Sequence, residues 1–152
     1  MKLSTRSRYG LIAIVDLASA YTDGKPVPLS VLAQSQGVSE DYLEQLLRLL
    51  KKADIVRASR GMSGGYSLTH APEEINVAMV LNALEGSTSL TDCVGTTEAR
   101  CDKACTCSAR PLFLKLQNRI DSVLYSTTIM DLANDNIQQK RRMENYAKSI
   151  SR

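Results

Sequence analysis

The chain has 152 residues, of which 43% are apolar and 23% are charged, as in a globular protein of about one domain. No apolar run approaches the roughly 20 residues needed to cross a bilayer, which excludes an integral membrane protein. The formal net charge is +3, and the whole excess lies before residue 62, where nine basic and six acidic side chains occur. An electrostatic binding surface is therefore expected in the N-terminal part of the chain.

The start of the chain resembles a secretory signal only in outline. Basic residues precede the apolar stretch from Leu11 to Val15, but Asp16 ends that stretch below the usual length of about 7–15 residues. We therefore expect a cytoplasmic protein. Because the cytoplasm is reducing, the four cysteines are expected to act as metal ligands or redox sensors and not as structural disulfides.

Three helices are predicted in the first part of the chain. Apolar residues at positions i, i+3, i+4 and i+7 predict an amphipathic helix over residues 5–21, and a short helix is expected over residues 29–36. Gly37 suits a left-handed position after the short helix, and Ser39 suits the N-cap of the next. The apolar face of this third helix consists of Leu43, Leu46, Leu47 and Leu50.

A β-hairpin is predicted directly after the third helix. Residues 55–60 and 66–69 have the pattern of short strands, and the glycine-rich segment 61–65 forms the turn between them. Two helices joined by a tight turn and followed by a hairpin are typical of a winged helix-turn-helix, whose second helix enters the DNA major groove. The sequence therefore predicts a mostly helical fold with a small β-hairpin wing.

Polar side chains of the third helix and the wing are candidates for DNA binding. Gln45 is suited to pairing with adenine, and Asp41 or Glu44 to accepting a hydrogen bond from cytosine. Arg60, beside the flexible Gly61, is suited to a minor groove. Other basic residues are candidates for phosphate contacts, which give affinity without base selection. These are Lys2, Arg6, Arg8, Arg48, Lys51, Lys52 and Arg57. The alternative is a solvated helix face without a ligand.

All four cysteines lie in a segment, residues 87–107, that has no apolar periodicity. They are Cys93, Cys101, Cys105 and Cys107. This is not the paired C-x-x-C spacing of common structural zinc sites. A loop ordered by a bound group would explain the missing pattern, and soft thiolates suit an iron-sulfur cluster. The spacing leaves three interpretations open: a cluster, a zinc site, and reactive thiols or a disulfide switch.

A long helix is predicted after the cysteines. Ser108 is expected to cap it and Pro111 to lie in its first turn. Its apolar seam has no remaining core to cover, so we expect it to form the interface of a homodimer. The seam consists of Leu112, Leu116, Ile120 and Val123. After residue 135 the chain becomes polar, and a flexible tail is expected.

The sequence contains no pattern typical of an enzyme. No histidine accompanies a nucleophile motif, and the glycines of the hairpin do not precede a helix as in a phosphate-binding loop. The single histidine, His70, is expected on the surface. We therefore expect neither catalysis nor a small-molecule substrate.

Several segments together resemble the Rrf2 family of bacterial winged-helix transcription regulators. They are Leu3-Ser4 with Tyr9, the segment from Ser39 through Asp41, Tyr42, Glu44 and Gln45 to Leu46, the wing from Arg60 through Gly61 and Ser63 to Leu68, and the cysteine loop with its following helix. The cysteines point to the iron-sulfur cluster regulator (IscR-like) branch. This resemblance implies a homodimer, DNA binding by the N-terminal domain, and a 2Fe-2S cluster that changes which promoters are bound.

The resemblance also implies roles for individual residues. It assigns base reading to Asp41, Glu44 and Gln45, and minor-groove contact to Arg60. It assigns three cluster ligands, Cys93, Cys101 and Cys107. Where the branch has its histidine ligand, this chain has Arg110, which cannot lose its proton to bind iron. Cys105 is the expected substitute, and its rivals are Asp92, Glu98, Asp102 or a residue of the other subunit.

These interpretations divide the chain into five parts. They are a winged helix-turn-helix domain (1–72), a connecting helix (73–86), a cluster-binding loop (87–109), a dimerisation helix with a following short helix (110–135) and a polar tail (136–152). The expected function is to bind double-stranded operator DNA and to repress or otherwise regulate transcription according to iron-sulfur status. One alternative is a relative that senses nitric oxide, iron or thiol oxidation with a 4Fe-4S cluster or bare cysteines. Another is a zinc-stabilised protein-interaction module.

Overall fold

The computed structural model describes residues 3–21, 24–95, 101–103 and 105–150, with side chains as far as residue 146. The described residues form helices and one hairpin, as predicted. In chain order the elements are α1 (Thr5–Ser19), α2 (Leu29–Gln36), α3 (Glu40–Lys52), β1 (Val56–Ser59), β2 (Gly65–Leu68), α4 (Val77–Glu85), α5 (Arg110–Ser126) and α6 (Ile129–Ile150).

The hydrophobic core lies where α1 packs against α3, α4 and α6. The apolar faces predicted for α1 and α3 point into it: Ile14, Leu43 and Leu47 are fully buried. Burying each such side chain stabilises the fold by about 1.5–3 kcal/mol. The core therefore orients α3 by one face and leaves its opposite face to solvent.

The turn between α2 and α3 has the predicted local chemistry. Gly37 ends α2 with φ 64°, a left-handed conformation that glycine adopts without steric cost. The Ser39 hydroxyl accepts a hydrogen bond from the Tyr42 backbone N–H at 3.3 Å and so caps α3. The helix-turn-helix predicted from these two residues is confirmed.

The wing is attached to the chain that precedes α2. β1 and β2 pair antiparallel with Val56 opposite Leu68, and the backbones of Val27 and Tyr66 exchange two hydrogen bonds of 2.8 and 2.9 Å. A Cβ atom at Gly65 would lie 2.3 Å from the Val27 carbonyl oxygen. Only glycine permits this approach, which fixes the wing relative to the helix-turn-helix.

The starts of α4 and α6 are joined through their backbones. The N–H of Val77 donates to the carbonyl of Thr127 at 3.0 Å, and the N–H of Ile129 donates to that of Ile75 at 2.8 Å. The side chain of Asn76 caps α4. Ile129, the first residue of α6, is fully buried in the core. The junction therefore holds α6 against the N-terminal domain.

Several predicted boundaries differ from the structure. α1 ends at Ser19 and not at residue 21. The N-cap of α5 is Ala109, without a side-chain hydrogen bond, so Ser108 is not the cap. α6 is helical through Ile150, whereas the sequence predicts a flexible tail from residue 136. Helical propensity explains this last difference, because residues 137–146 are rich in Gln, Lys, Arg, Met and Glu.

None of the helices in the described part of the chain is both long and apolar enough to span a membrane.

Candidate DNA-binding surface and cysteine loop

The solvent face of α3 carries the predicted polar residues. Asp41, Gln45, Arg48 and Lys52 are all exposed. They stand opposite the buried leucines of the same helix, so their orientation follows from the packing of the core. The face is continuous and unobstructed by other described elements of the chain, which is the arrangement that insertion into a major groove requires.

Glu44 lies at the margin of this face and is held by a neighbour. Its Oε1 atom accepts a hydrogen bond from Arg48 at 3.1 Å, one helical turn later. Both charges act on Tyr66 of the wing: the pKa of the Tyr66 hydroxyl is raised first by burial and then by Glu44, with Arg48 opposing. Glu44 and Arg48 of α3 are therefore close enough to Tyr66 of the wing to act on it electrostatically.

Tyr42 packs inward and connects α3 to α1. Its ring meets that of Tyr9 edge to face with centroids 6.2 Å apart, and the Arg8 guanidinium lies 5.0 Å from the Tyr9 centroid. Tyr42, predicted to contact DNA, is thus half-buried in a contact between helices. The exposed Arg8 lies against the Tyr9 ring, which in turn contacts Tyr42 of α3, an arrangement that residue spacing alone does not reveal.

The wing presents its predicted residues to solvent. Arg57, Arg60, Gly61 and Ser63 are exposed, and Met62 at the tip is fully exposed. Gly61 has φ 110°, which only glycine adopts readily. The Arg57 Nε–H donates to Ser67 across the hairpin at 3.1 Å. Arg60 is therefore free to extend from the turn, while Arg57 is held along the strand.

One of the predicted phosphate contacts lies apart from this surface. The Arg6 guanidinium donates to the carbonyl oxygen of Leu84 at 3.1 Å, at the end of α4. Lys2 lies outside the described residues. The surface of α3 and the wing therefore retains Arg8, Arg48, Lys51, Lys52, Arg57 and Arg60 as its basic residues.

A hydroxyl–carboxylate contact beside Arg6 was not predicted from the sequence. The fully buried Ser7 donates to Glu85 Oε1 at 2.5 Å, and Ser4 donates to the same oxygen. These hydrogen bonds lower the pKa of Glu85, that from Ser4 most and that from Ser7 next. Glu85 is the last residue of α4, so this contact connects α1 to the start of the cysteine loop, residues 87–109.

The cysteine loop contains four free thiols. Cys93 and Cys107 are half-buried, whereas Cys101 and Cys105 are exposed. Within the described residues no three His, Cys, Asp or Glu side chains are close enough to bind one metal ion. The structure therefore does not bring the predicted ligands together. Of the rival fourth ligands, Asp92 and Asp102 are exposed and Glu98 lies outside the described residues.

The chemistry of the donor set nevertheless fits an iron-sulfur cluster. Unpaired thiols are the ligands that such clusters prefer. The Nε atom of Arg110 is buried without a hydrogen-bond partner, and Arg110 lies three residues after Cys107. An unpaired buried donor is costly, and a group carrying negative charge would satisfy it. Arg110 is thus a candidate donor to such a group but not a ligand. His70, as expected, is near the surface, with Nε2 3.4 Å from Asp54.

The predicted apolar seam of α5 is mostly exposed. Leu112, Leu116 and Val123 are 57%, 45% and 62% exposed, which is unfavourable for an isolated helix face in water. Ile120 differs, because it is half-buried and lines a cavity of about 520 Å³ between α1, α4 and α5. Three of the four seam residues are therefore available to a partner.

A family model described as an iron-dependent transcriptional regulator, Rrf2, matches residues 3–135. The chain is 38% identical over 152 residues to the HTH-type transcriptional regulator IscR of Aliivibrio salmonicida, covering 99% of this chain and 89% of the relative. It is 36% identical over 133 residues to the regulator CymR of Bacillus subtilis, covering 88% and 90%.

Solved structures of two such regulators have the same fold. CymR of B. subtilis, described as the global cysteine regulator of that organism, superposes with a TM-score of 0.74 at 34% identity and covers 88% of this chain and 97% of its own. IscR of T. potens superposes with a TM-score of 0.73 at 36% identity and covers 90% and 88%. The predicted winged-helix architecture is thereby confirmed.

Proposed function

Because the chain belongs to the Rrf2 family of transcription regulators, we propose that it senses iron-sulfur status through a cluster bound in the cysteine loop. Like its relatives, the chain is a DNA-binding transcription regulator and not an enzyme. The proposal adds that it acts in the cytoplasm as a homodimer, and that cluster occupancy changes its choice of, or affinity for, operator DNA. A 2Fe-2S cluster is proposed, with 4Fe-4S as the alternative.

The four free thiols of the cysteine loop carry this proposal. The loop lies between α4 and α5 and has no regular secondary structure in its described residues. Loops of this length without secondary structure are uncommon in compact domains, and where they occur they usually serve a function such as binding. The thiols supply the ligands for such a group, and Arg110 supplies a hydrogen-bond donor next to it.

DNA binding is proposed to use the exposed face of α3 and the wing. Asp41, Glu44 and Gln45 would contact base edges in the major groove, where carboxylates and amides distinguish base pairs. Arg60 would enter the adjacent minor groove from the turn of the wing. The flanking basic residues and the α3 N-terminus with Ser39 would contact phosphates. In a dimer the two recognition helices would contact half-sites about one DNA turn, or a multiple, apart.

Cys93, Cys101 and Cys107 would hold the cluster, with Cys105 as the fourth ligand. When bound, the cluster supplies metal-thiolate bonds that order the loop. The loop begins two residues after Glu85, which binds Ser7 of α1 and the N-cap residue Ser4, and it ends at α5. The ends of the loop are therefore attached to the N-terminal domain and to the proposed dimerisation helix. Linkage between loop order and helix position would couple cluster binding to DNA binding.

Isolation of the full chain without oxygen tests the proposal. Iron and sulfide content, measured together with a Mössbauer spectrum, distinguishes 2Fe-2S from 4Fe-4S and from no cluster. We expect iron and sulfide in equal amounts and a 2Fe-2S spectrum. A colourless protein loaded with zinc would support the protein-interaction alternative instead. Absence of any bound metal after anaerobic reconstitution would contradict cluster sensing.

Thiol oxidation is the second candidate, and two observations favour it. The described thiols do not converge on one point, and one of the similar regulators is described as a global cysteine regulator. The exposed Cys101 and Cys105 are accessible to oxidants. In that case a disulfide between two loop cysteines, formed with loss of two electrons to the oxidant and of two protons, would change the loop. Mass spectrometry of peroxide-treated, metal-free protein would detect it.

A further inference from the structure

Gln117 is buried in a helix that otherwise leaves most of its surface exposed. It is 6% exposed, and it is the one buried residue of α5. Its neighbour Leu116 is 45% exposed. Burying an amide while leaving a leucine in water is unfavourable unless the amide has hydrogen-bond partners. The position of Gln117 therefore points to a specific contact.

The amide of Gln117 is bound on both sides. Its Oε1 accepts a hydrogen bond from the backbone N–H of Leu90 at 2.8 Å, and its Nε2 donates to Asp121 Oδ1 at 2.8 Å. A carboxylate only accepts hydrogen bonds, so Asp121 selects the orientation in which the amide oxygen faces Leu90. Asp121 thus orients the Gln117 amide so that its oxygen accepts the hydrogen bond from the Leu90 N–H of the cysteine loop.

Leu90 directly precedes the turn that carries Cys93. The Val94 N–H donates to the Thr91 carbonyl at 3.2 Å, and the Thr91 hydroxyl lies 3.2 Å from the Cys93 sulfur. Leu90 also lines the apolar cavity that Ile120 borders. The segment is therefore attached to α5 through the backbone N–H of Leu90, whose residue also borders a cavity in common with Ile120 of α5. Among the described contacts of residues 87–95, the bond to Gln117 is the one hydrogen bond that reaches α5.

The same helix also fixes the other end of the loop. The backbone N–H of Arg110 donates to the carbonyl of Cys107 at 3.3 Å at the start of α5. Gln117 follows Arg110 by seven positions, about 10 Å along the helix axis. One rigid element therefore holds both the turn of Cys93 and the segment of Cys107.

We propose that Gln117 is a positioning residue that holds Cys93 at a fixed place relative to Cys107, and so prepares the cysteine loop for its cluster. This inference rests on the proposed function, which it deepens by naming a residue that controls cluster retention. Gln117 would not be a ligand. Its effect would come from reducing the conformational freedom that the loop loses when the thiolates bind.

Gln117→Met tests the inference, because methionine has a similar length but cannot accept a strong hydrogen bond. The matched control is Gln138→Met on the exposed surface of α6. In the metal-free full chain, hydrogen exchange of the Leu90 amide should become about tenfold faster. Alkylation of Cys93 by iodoacetamide, followed by mass spectrometry, should accelerate relative to Cys105. Unchanged Leu90 exchange and an unchanged Cys93 to Cys105 ratio would overturn the inference.

Two further variants separate positioning from general destabilisation. Asp121→Ala removes only the bond that orients the amide, and it should accelerate Cys93 alkylation even if Gln117→Met fails to fold. The double change Gln117→Glu with Asp121→Asn exchanges carboxylate and amide while keeping an acceptor for Leu90. It should restore the wild-type Cys93 to Cys105 ratio. Failure of both variants to behave in this way would contradict a role for the hydrogen bond.

Cluster retention is measured last, on anaerobically reconstituted protein. Gln117→Met should lose its visible absorption to a chelator several-fold faster than wild type and Gln138→Met. An unchanged rate of loss would overturn the positioning role while leaving the proposed function intact. If wild type itself retains no iron or sulfide, the proposed function fails, and the alkylation ratio alone reports whether Gln117 positions Cys93.

Discussion

Gln45 and Lys52 lie on the same exposed face of α3 and are expected to affect DNA binding differently. Gln45→Ala should relax base choice at one position by about 1–3 kcal/mol, because the amide is proposed to read a base edge. Lys52→Ala should weaken binding to all sequences alike and reduce its salt dependence, because an ammonium group contacts phosphate. Competition binding at fixed salt, over a panel of single-base operator variants, measures both. A uniform loss for Gln45→Ala would remove it from the base-reading set.

Cys105 is the proposed fourth cluster ligand, because the family resemblance implies a histidine ligand at the position that Arg110 occupies in this chain. Cys105 lies in a turn closed by a hydrogen bond from the Thr106 N–H to the Lys103 carbonyl at 3.0 Å, two positions before Cys107, and we propose that both thiols reach one cluster. Cys105→Ala should lower iron and sulfide content or speed the bleaching of visible absorption in air. The same change at Cys93, Cys101 or Cys107 should abolish the cluster. Full content, an unchanged spectrum and unchanged oxygen stability in Cys105→Ala would identify another fourth ligand.

The contact of Glu85 with Ser4 and Ser7 should make folding stability depend on pH. Hydrogen bonds hold the folded-state pKa of Glu85 below its unfolded value of about 4.3. The carboxylate therefore stabilises the fold above about pH 4.3, and this contribution is lost as pH falls through the lower folded pKa. Wild type should exceed Glu85→Gln in stability near neutral pH, and the difference should shrink in acid.

Urea denaturation followed by circular dichroism at several pH values measures this difference. Glu73→Gln, at an exposed position before α4, controls for the loss of one negative charge. A stability difference between wild type and Glu85→Gln that stays constant from neutral pH into acid would contradict the role assigned to the hydroxyl–carboxylate contact.

At the scale of elements, the mostly exposed apolar seam of α5 predicts that two copies of the chain associate through it. Leu116→Glu should give monomers, because a charge in a desolvated interface is costly without a partner. Asn118→Glu is the matched control, since Asn118 is exposed on the same helix and lies about 160° around it from Leu116. Sedimentation at micromolar concentration measures both variants. A wild-type protein that is already monomeric would contradict the interface.

The elements that the sequence predicts well are those whose signals are local. Gly37 and Ser39 define the turn of the helix-turn-helix by their own backbone and side-chain chemistry, and the leucines of α3 repeat with the helical period. The N-terminus of α5 differs from the prediction that Ser108 caps it. Its N-cap is Ala109, because helical geometry starts one residue later without a side-chain acceptor. A suitable capping residue does not by itself fix a helix boundary.

The contacts that the sequence does not predict join distant segments. The Leu90 amide meets Gln117 across 27 positions, and Ser7 meets Glu85 across 78. Neither pair belongs to a motif, since serine, glutamine and glutamate are common surface residues. No sequence signal marks Gln117, because a polar residue one position after an apolar seam residue is ordinary, and its burial becomes visible only once α5 is packed. Such pairings depend on tertiary packing, which periodicity does not contain.

Across the whole molecule, the described contacts form a connected route from the cysteine loop to the proposed DNA-binding surface of α3. Gln117 connects the loop to α5, and Glu85 connects the start of the loop to α1. Tyr9 and Tyr42 then connect α1 to the recognition helix α3. Contiguity of this kind supports coupling only if the loop has two states that differ in DNA affinity. Cluster occupancy is the proposed difference between those states.

One DNA-selection experiment tests this central claim directly. A pool of random double-stranded DNA is enriched in parallel with the anaerobically isolated protein and with the same protein after removal of its cluster, and the recovered duplexes are titrated with both forms at one salt concentration. The account predicts that the two forms select different sequences, or bind one sequence with affinities that differ about tenfold or more, a coupling free energy of about 1.4 kcal/mol. Identical sequences bound with equal affinity by both forms would contradict it.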